Sequence, residues 1–261
     1  MTLPRFLRPN TNQPLRPDPA DPAQHEAVMY VRSILWMRIA VGIAGVFLPI
    51  ALWLVDKLYF HGDPQPRDSM SAYYYSGMRE VFVTVIFGTG AFLVGYKIAE
   101  VSLDNTASIF AGLGALCLAW FPTKPGGNVT PVPHLSPLQD RWGPSTVWWF
   151  HVIGTVAFVV GLAIVSYLFG VREGKWPATP GKLSPVFWRR YHKTLALIMA
   201  VGLLWIIVSS TPHHRFGPYW DVLIGEVTCV FAFGLSWLLK GWEWDTLFGR
   251  PVEGRRRPQG G

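Results

Sequence analysis

Two carboxylates and one imidazole interrupt stretches of the chain that are otherwise apolar: Glu80, His151 and Glu226. Such groups can move protons, one acting as acid and another as base, or hold zinc with a position left open for water. His151 and Glu226 are the candidate ligands of such a zinc, although partner ligands at close helical spacing are missing. The plainer reading is an interhelical network of hydrogen bonds and ion pairs, with Arg79 or a protonated His151 as counter-charge. A charge in hydrocarbon costs about 2.5–3.5 kcal/mol even on a lenient scale, so each of the three is expected to face the protein interior and a partner.

Their depths are expected to coincide. With Pro66 the last breaker before it, the second apolar stretch can begin near Ser69 or Ser71, which puts Glu80 about 13 Å along a helix from Ser71. His151 lies roughly 10 Å beyond Pro144 and Glu226 about 12 Å beyond Pro218 on the same rise. Around them, Tyr74, Tyr75, Arg79, Trp149 and Arg215 are candidate substrate-binding residues, joined by the adjacent His213 and His214. A long Pro/Gly-rich connection, 122–144, carries His134, Asp140 and Arg141 and has the length of a lid.

The elements that must position these groups are six apolar stretches: Leu35–Val55, Glu80–Ile98, Leu103–Phe121, Val147–Phe169, Thr194–Ser210 and Tyr219–Leu239. Each approaches the ~20 apolar residues that cross ~30 Å of hydrocarbon. None alternates with period two, which argues against strands. Charged residues make up 15% and hydrophobic ones 50% of the 261, with 13 Trp, a balance that suits a membrane more than water. The expected fold is therefore all-α, a six-transmembrane-helix bundle spanning residues 34–242, with a disordered basic and Pro-rich tail over 1–33 and a basic tail over 243–261.

Lys and Arg set the expected orientation. With six spans, 17 of the 23 fall on the side shared by both termini, including Arg38, Arg172, Lys240 and Arg255–Arg257. That asymmetry places both termini in the cytoplasm of a cell inner membrane and makes the net charge of +7 topological. The basic clusters then meet anionic headgroups, so membrane lipids are the expected partners and nucleic acid is not. A homo-oligomer or a membrane partner is compatible with the pattern.

Packing is legible too. Ala107, Ala111, Ala115 and Ala119 recur every four residues, a row that lets a neighbouring backbone approach closely. Thr84, Gly88, Ala91 and Gly95 form a second such row, on the stripe that carries Glu80, and Gly225, Cys229, Ala232 and Ser236 a third. Pro49 falls inside the first span, where a kink is expected. Cys117 and Cys229 lie within spans and read as small buried hydrophobes. Asp104 opens the third span and reads as a helix cap. No HExxH, P-loop, CxxC or GxSxG pattern occurs.

Gly112-Leu113-Gly114, then Trp120-Phe121-Pro122-Thr123, then a span carrying His151 near its start, is similar to the bacterial membrane proteins grouped as domain of unknown function 998. Ser71-Ala72-Tyr73-Tyr74-Tyr75 with Met78-Arg79-Glu80-Val81-Phe82-Val83 also resembles an element of such six-span proteins. The resemblance covers the second through fourth spans and implies six helices with a histidine at the outer face. It supplies no reaction. Two classes of function fit: a membrane protein whose buried Glu/His cluster accompanies binding of a lipid or other amphiphile, or an intramembrane enzyme that hydrolyses or cyclises a lipid or prenyl chain by acid-base or metal-assisted chemistry.

Overall fold

An apolar surrounding leaves a backbone no partner but itself, and the apolar stretches accordingly form helices. The computed structural model describes residues 22–62, 65–96, 103–125, 134–173, 184–210 and 220–241. Its helices are α1 (Pro22–Tyr59), α2 (Arg79–Gly95), α3 (Leu103–Trp120), α4 (Pro137–Trp142), α5 (Pro144–Glu173), α6 (Pro185–Ser209) and α7 (Asp221–Gly241), with a 3-10 turn over Ser71–Tyr75. No strand occurs among the described residues. Five helices, α1 from Arg32 onward, α3, α5, α6 and α7, are long and apolar enough to cross a membrane. α2 has 17 residues, about 25 Å at 1.5 Å per residue.

Local chemistry marks the starts. Ser184 caps α6 by accepting from the Phe187 N–H, with Pro185 in the first position. Ser136 and Gln139 close a capping box on α4, and Gly143, at φ 80, turns the chain from α4 into α5. α1 passes through Pro49 and reaches back to Pro22, so residues 22–33 of the stretch expected to be disordered are helical. The rest of that stretch, and the basic tail over 243–261, lie outside the described residues.

The long helices run alternately up and down around a ring, α1–α7–α6–α5–α3–α2, which a slighter α1–α2 contact closes. Small residues sit where the helices cross. A Cβ on Gly114 would lie 2.5 Å from the Phe158 amide nitrogen, and one on Gly154 would lie 2.9 Å from the Gly114 carbonyl oxygen. Gly90 meets Gly112, Gly45 meets Gly234, and Gly202 meets Gly225 in the same manner. Backbones this close gain dispersion contacts over their whole length, the main attraction available between helices without water to expel.

The alanine row of α3 is buried as expected, with Ala111 and Ala115 at 0% exposure, and so is the Gly225, Cys229, Ala232, Ser236 row of α7. The row on α2 is reversed. Glu80, Thr84, Gly88, Ala91 and Gly95 are exposed, while Phe82, Ile86, Thr89, Gly90, Phe92 and Leu93 face the core. Gly90 is the small residue that α3 selects, and turning it inward carries the large apolar side chains in and the Glu80 stripe out. The two glycine classes should separate on substitution. Gly114→Ala is expected to lower stability by about 1–3 kcal/mol or more, because the new methyl meets backbone. Gly88→Ala meets nothing within 4 Å and should be neutral or slightly stabilising. Thermal unfolding of the two variants in the same detergent checks the order.

Candidate functional site

The segment before α2 lies across the start of α7. Leu223 donates its N–H to the Asp68 carbonyl at 3.0 Å, and Met70 donates its N–H to Glu226 Oε2. Ser69 starts the 3-10 turn, its hydroxyl accepting from the Ala72 N–H at 3.1 Å. The turn presents Ser71, 5% exposed, toward α5 and α7.

His151, also 5% exposed, completes the arrangement from α5. Its Nδ1 lies 2.8 Å from the Phe121 carbonyl oxygen, which can only accept, so Nδ1 carries the proton. In the neutral ring Nε2 is then an acceptor, and the Ser71 hydroxyl sits 3.0 Å from it. Glu226 Oε1 approaches the same hydroxyl at 3.4 Å. The shorter contact assigns the hydroxyl proton to His151 and leaves the Ser71 oxygen facing Glu226. Serine against an imidazole that a third group orients is the arrangement that activates a hydroxyl.

Behind Ser71 and Glu226 lies a slender cavity of ≈ 40 Å³. It runs between α2, α3, α5, α6 and α7, past Phe82, Phe158, Val159, Leu162, Met199 and Val230. Thr155 is the other polar residue on its wall, and its hydroxyl is turned to the His151 carbonyl at 2.9 Å. The volume exceeds the ~10–15 Å³ that one water needs, but walls so apolar give water few partners.

Of the residues singled out from sequence, His151 and Glu226 come together, through Ser71. Glu80 does not join them. A break at Ser76 and Gly77 separates the 3-10 turn from α2, so Glu80 sits in the exposed first turn of α2, where a carboxylate complements the helix dipole. Arg79 donates from Nη2 to the Tyr74 hydroxyl at 2.6 Å and covers the Tyr74 ring at 4.2 Å. Trp149 is 58% exposed, against Trp148. His134, Asp140 and Arg141 are exposed as well. His213, His214 and Arg215 lie outside the described residues. For the zinc reading, no group of three His, Cys, Asp or Glu gathers among the described residues, and both His151 nitrogens already have partners.

Ser71 is not among the site residues expected from sequence, where it marks a possible start of the second stretch. The available signal is a serine just ahead of one apolar stretch and a histidine near the start of another, at one end. A second buried network lies at the opposite end, where His192 Nδ1 lies 2.9 Å from Ser236 Oγ and Ser236 Oγ lies 2.6 Å from Ser166 Oγ. Asp104, expected only as a cap, pairs with Arg172, and Lys240 pairs with Glu173.

No known family, no curated protein and no solved structure matches this chain.

Tyr75 anchors the turn that carries Ser71. Its hydroxyl donates to the Thr123 carbonyl at 2.6 Å and accepts from Gln139 Nε2 at 2.7 Å. Burial pushes its phenol up to about 12 from 10.0, against a smaller downward effect of the Gln139 hydrogen bond. A raised value means that the fold stabilises the neutral phenol: the contribution is full below pH 10 and fades as pH rises toward about 12. Difference absorbance titration of wild type against Tyr75→Phe should isolate a phenol ionising near 12. A midpoint at the ordinary value would contradict the network. At neutral pH the variant should lose about 1–3 kcal/mol of stability, since it leaves polar partners unmet.

Proposed function

We propose that this protein is a six-span membrane protein with both termini in the cytoplasm, which holds the first carbons of an amphiphile's hydrocarbon chain between its helices and the polar end of that molecule at Ser71 and Glu226. The observation that carries this reading is the slender apolar cavity with Ser71 and Glu226 on its wall. A narrow space with hydrocarbon walls favours a methylene chain over water or a charged solute. A polar group near such a cavity supplies orientation, as in small-molecule sites generally.

Support for the sixth span comes from α2, whose 17 residues reach the lower limit of spanning lengths and pack antiparallel to α3. Support for the orientation comes from the 17-to-6 distribution of basic residues. Arg38, Arg172 and Lys240 lie with Asp104 and Glu173 at the end opposite Ser71, a clustering of basic residues that supports a non-cytoplasmic Ser71 end.

Binding is measured with purified full-length protein and a fluorescent long-chain fatty acid. Wild type should bind saturably. Val230→Phe, which narrows the cavity from a half-buried position, should weaken binding at least tenfold while unfolding at a similar temperature. Equal affinity in the two proteins would remove the cavity as the binding place. Orientation is read separately: single cysteines at positions 16 and 256, in a background lacking Cys117 and Cys229, should react with an impermeant maleimide only after cells are opened.

A further inference from the structure

We propose that Ser71 is a nucleophile and His151 its general base, so that the protein hydrolyses the carboxylic ester of a long-chain acyl amphiphile. The proposal rests on the amphiphile reading above and adds a reaction to it. Three observations converge. The Ser71 hydroxyl lies 3.0 Å from His151 Nε2, within the reach that proton transfer requires. The Phe121 carbonyl, 2.8 Å from Nδ1, holds the ring in the tautomer whose Nε2 lone pair faces the serine. Ser71 also lines the apolar cavity, so an acyl chain whose first carbons enter that cavity brings its carboxyl end to the hydroxyl.

The step balances with water as the second reactant. The Ser71 Oγ forms a bond to the ester carbonyl carbon as its proton passes to His151 Nε2, and the carbonyl electron pair moves onto oxygen. Collapse of this intermediate breaks the ester C–O bond, and the leaving alcohol takes the proton from His151. Water then adds to the acyl-serine, giving a proton to His151 and releasing the fatty acid as Ser71 recovers its proton. The Glu226 carboxyl lies beside the reacting hydroxyl, with Oε1 3.4 Å from it and Oε2 already accepting from the Met70 amide. Phe121 positions and does not touch the substrate.

The pairing has a plainer role as well, since a satisfied Ser–His contact ties the 3-10 turn to α5. Reaction with a suicide probe separates the two, because a structural hydroxyl does not become a nucleophile. Full-length protein is incubated with a long-chain alkyl fluorophosphonate, and adducts are mapped by peptide mass spectrometry. The expected result is one phosphonyl group on Ser71, absent from heat-denatured protein and from Ser71→Ala. His151→Gln, compared at a temperature where circular dichroism shows it folded, should form the adduct at least about a hundredfold more slowly. Wild type that binds the fatty acid but gains no adduct at Ser71 overturns the nucleophile and leaves the binding reading intact. An adduct rate indifferent to His151→Gln overturns the dyad, and the wild-type mapping holds even where a variant does not fold. Absence of fatty-acid binding in wild type removes both readings together.

Discussion

Everything in this bundle depends on helix backbones touching one another. Lipid tails are as apolar as leucine, so burying apolar side chains gains little, and attraction must come from close contact. Gly45 against Gly234, Gly90 against Gly112, Gly114 against Gly154, and Gly202 against Gly225 provide that contact at four crossings of the ring. Each pair fixes how its two helices rotate, and rotation decides which side chains meet. α7 shows the consequence. With Gly225 against Gly202, the same helix presents Glu226 to Met70 and Ser71, and Ser236 to His192.

Polar groups at membrane depth then have to find one another, because no water is at hand to satisfy them. The two histidines buried among the described residues answer this alike, at opposite ends. His151 spans from the Phe121 carbonyl to Ser71, and His192 meets the Ser236–Ser166 pair. What differs is their surroundings. His192 packs among Phe169, Trp188 and Tyr191, whereas the serine that meets His151 lines an open space. A filled surround makes a polar contact into adhesive; a cavity beside it gives the same contact something to act on.

The long apolar stretches, their approximate bounds and the buried rows of α3 and α7 were legible in the sequence, since each follows from hydropathy and from spacing within one helix. So was the depth shared by His151 and Glu226. Two readings failed for one reason. The row Thr84, Gly88, Ala91 has the spacing of an interface, and Glu80 shares its stripe, yet α3 packs on Gly90 instead. A helix with small residues on two faces carries no internal mark of which one its neighbour will take. The start of α2 was also misplaced, because Ser76 and Gly77 break a run that periodicity alone would continue.

Sequence alone determined that the chain is helical, that its apolar stretches suit a membrane, and that few ionisable groups would lie at depth, because these depend on what each residue prefers as solvent. Tertiary structure decided which groups meet. Ser71 is 80 residues from His151 and 155 from Glu226, and the three come together only because α5, α7 and the turn before α2 end at one level and face one point. Spacing along one helix does not encode the rotation of another, so a buried serine becomes a partner of histidine only when the backbones have set that rotation.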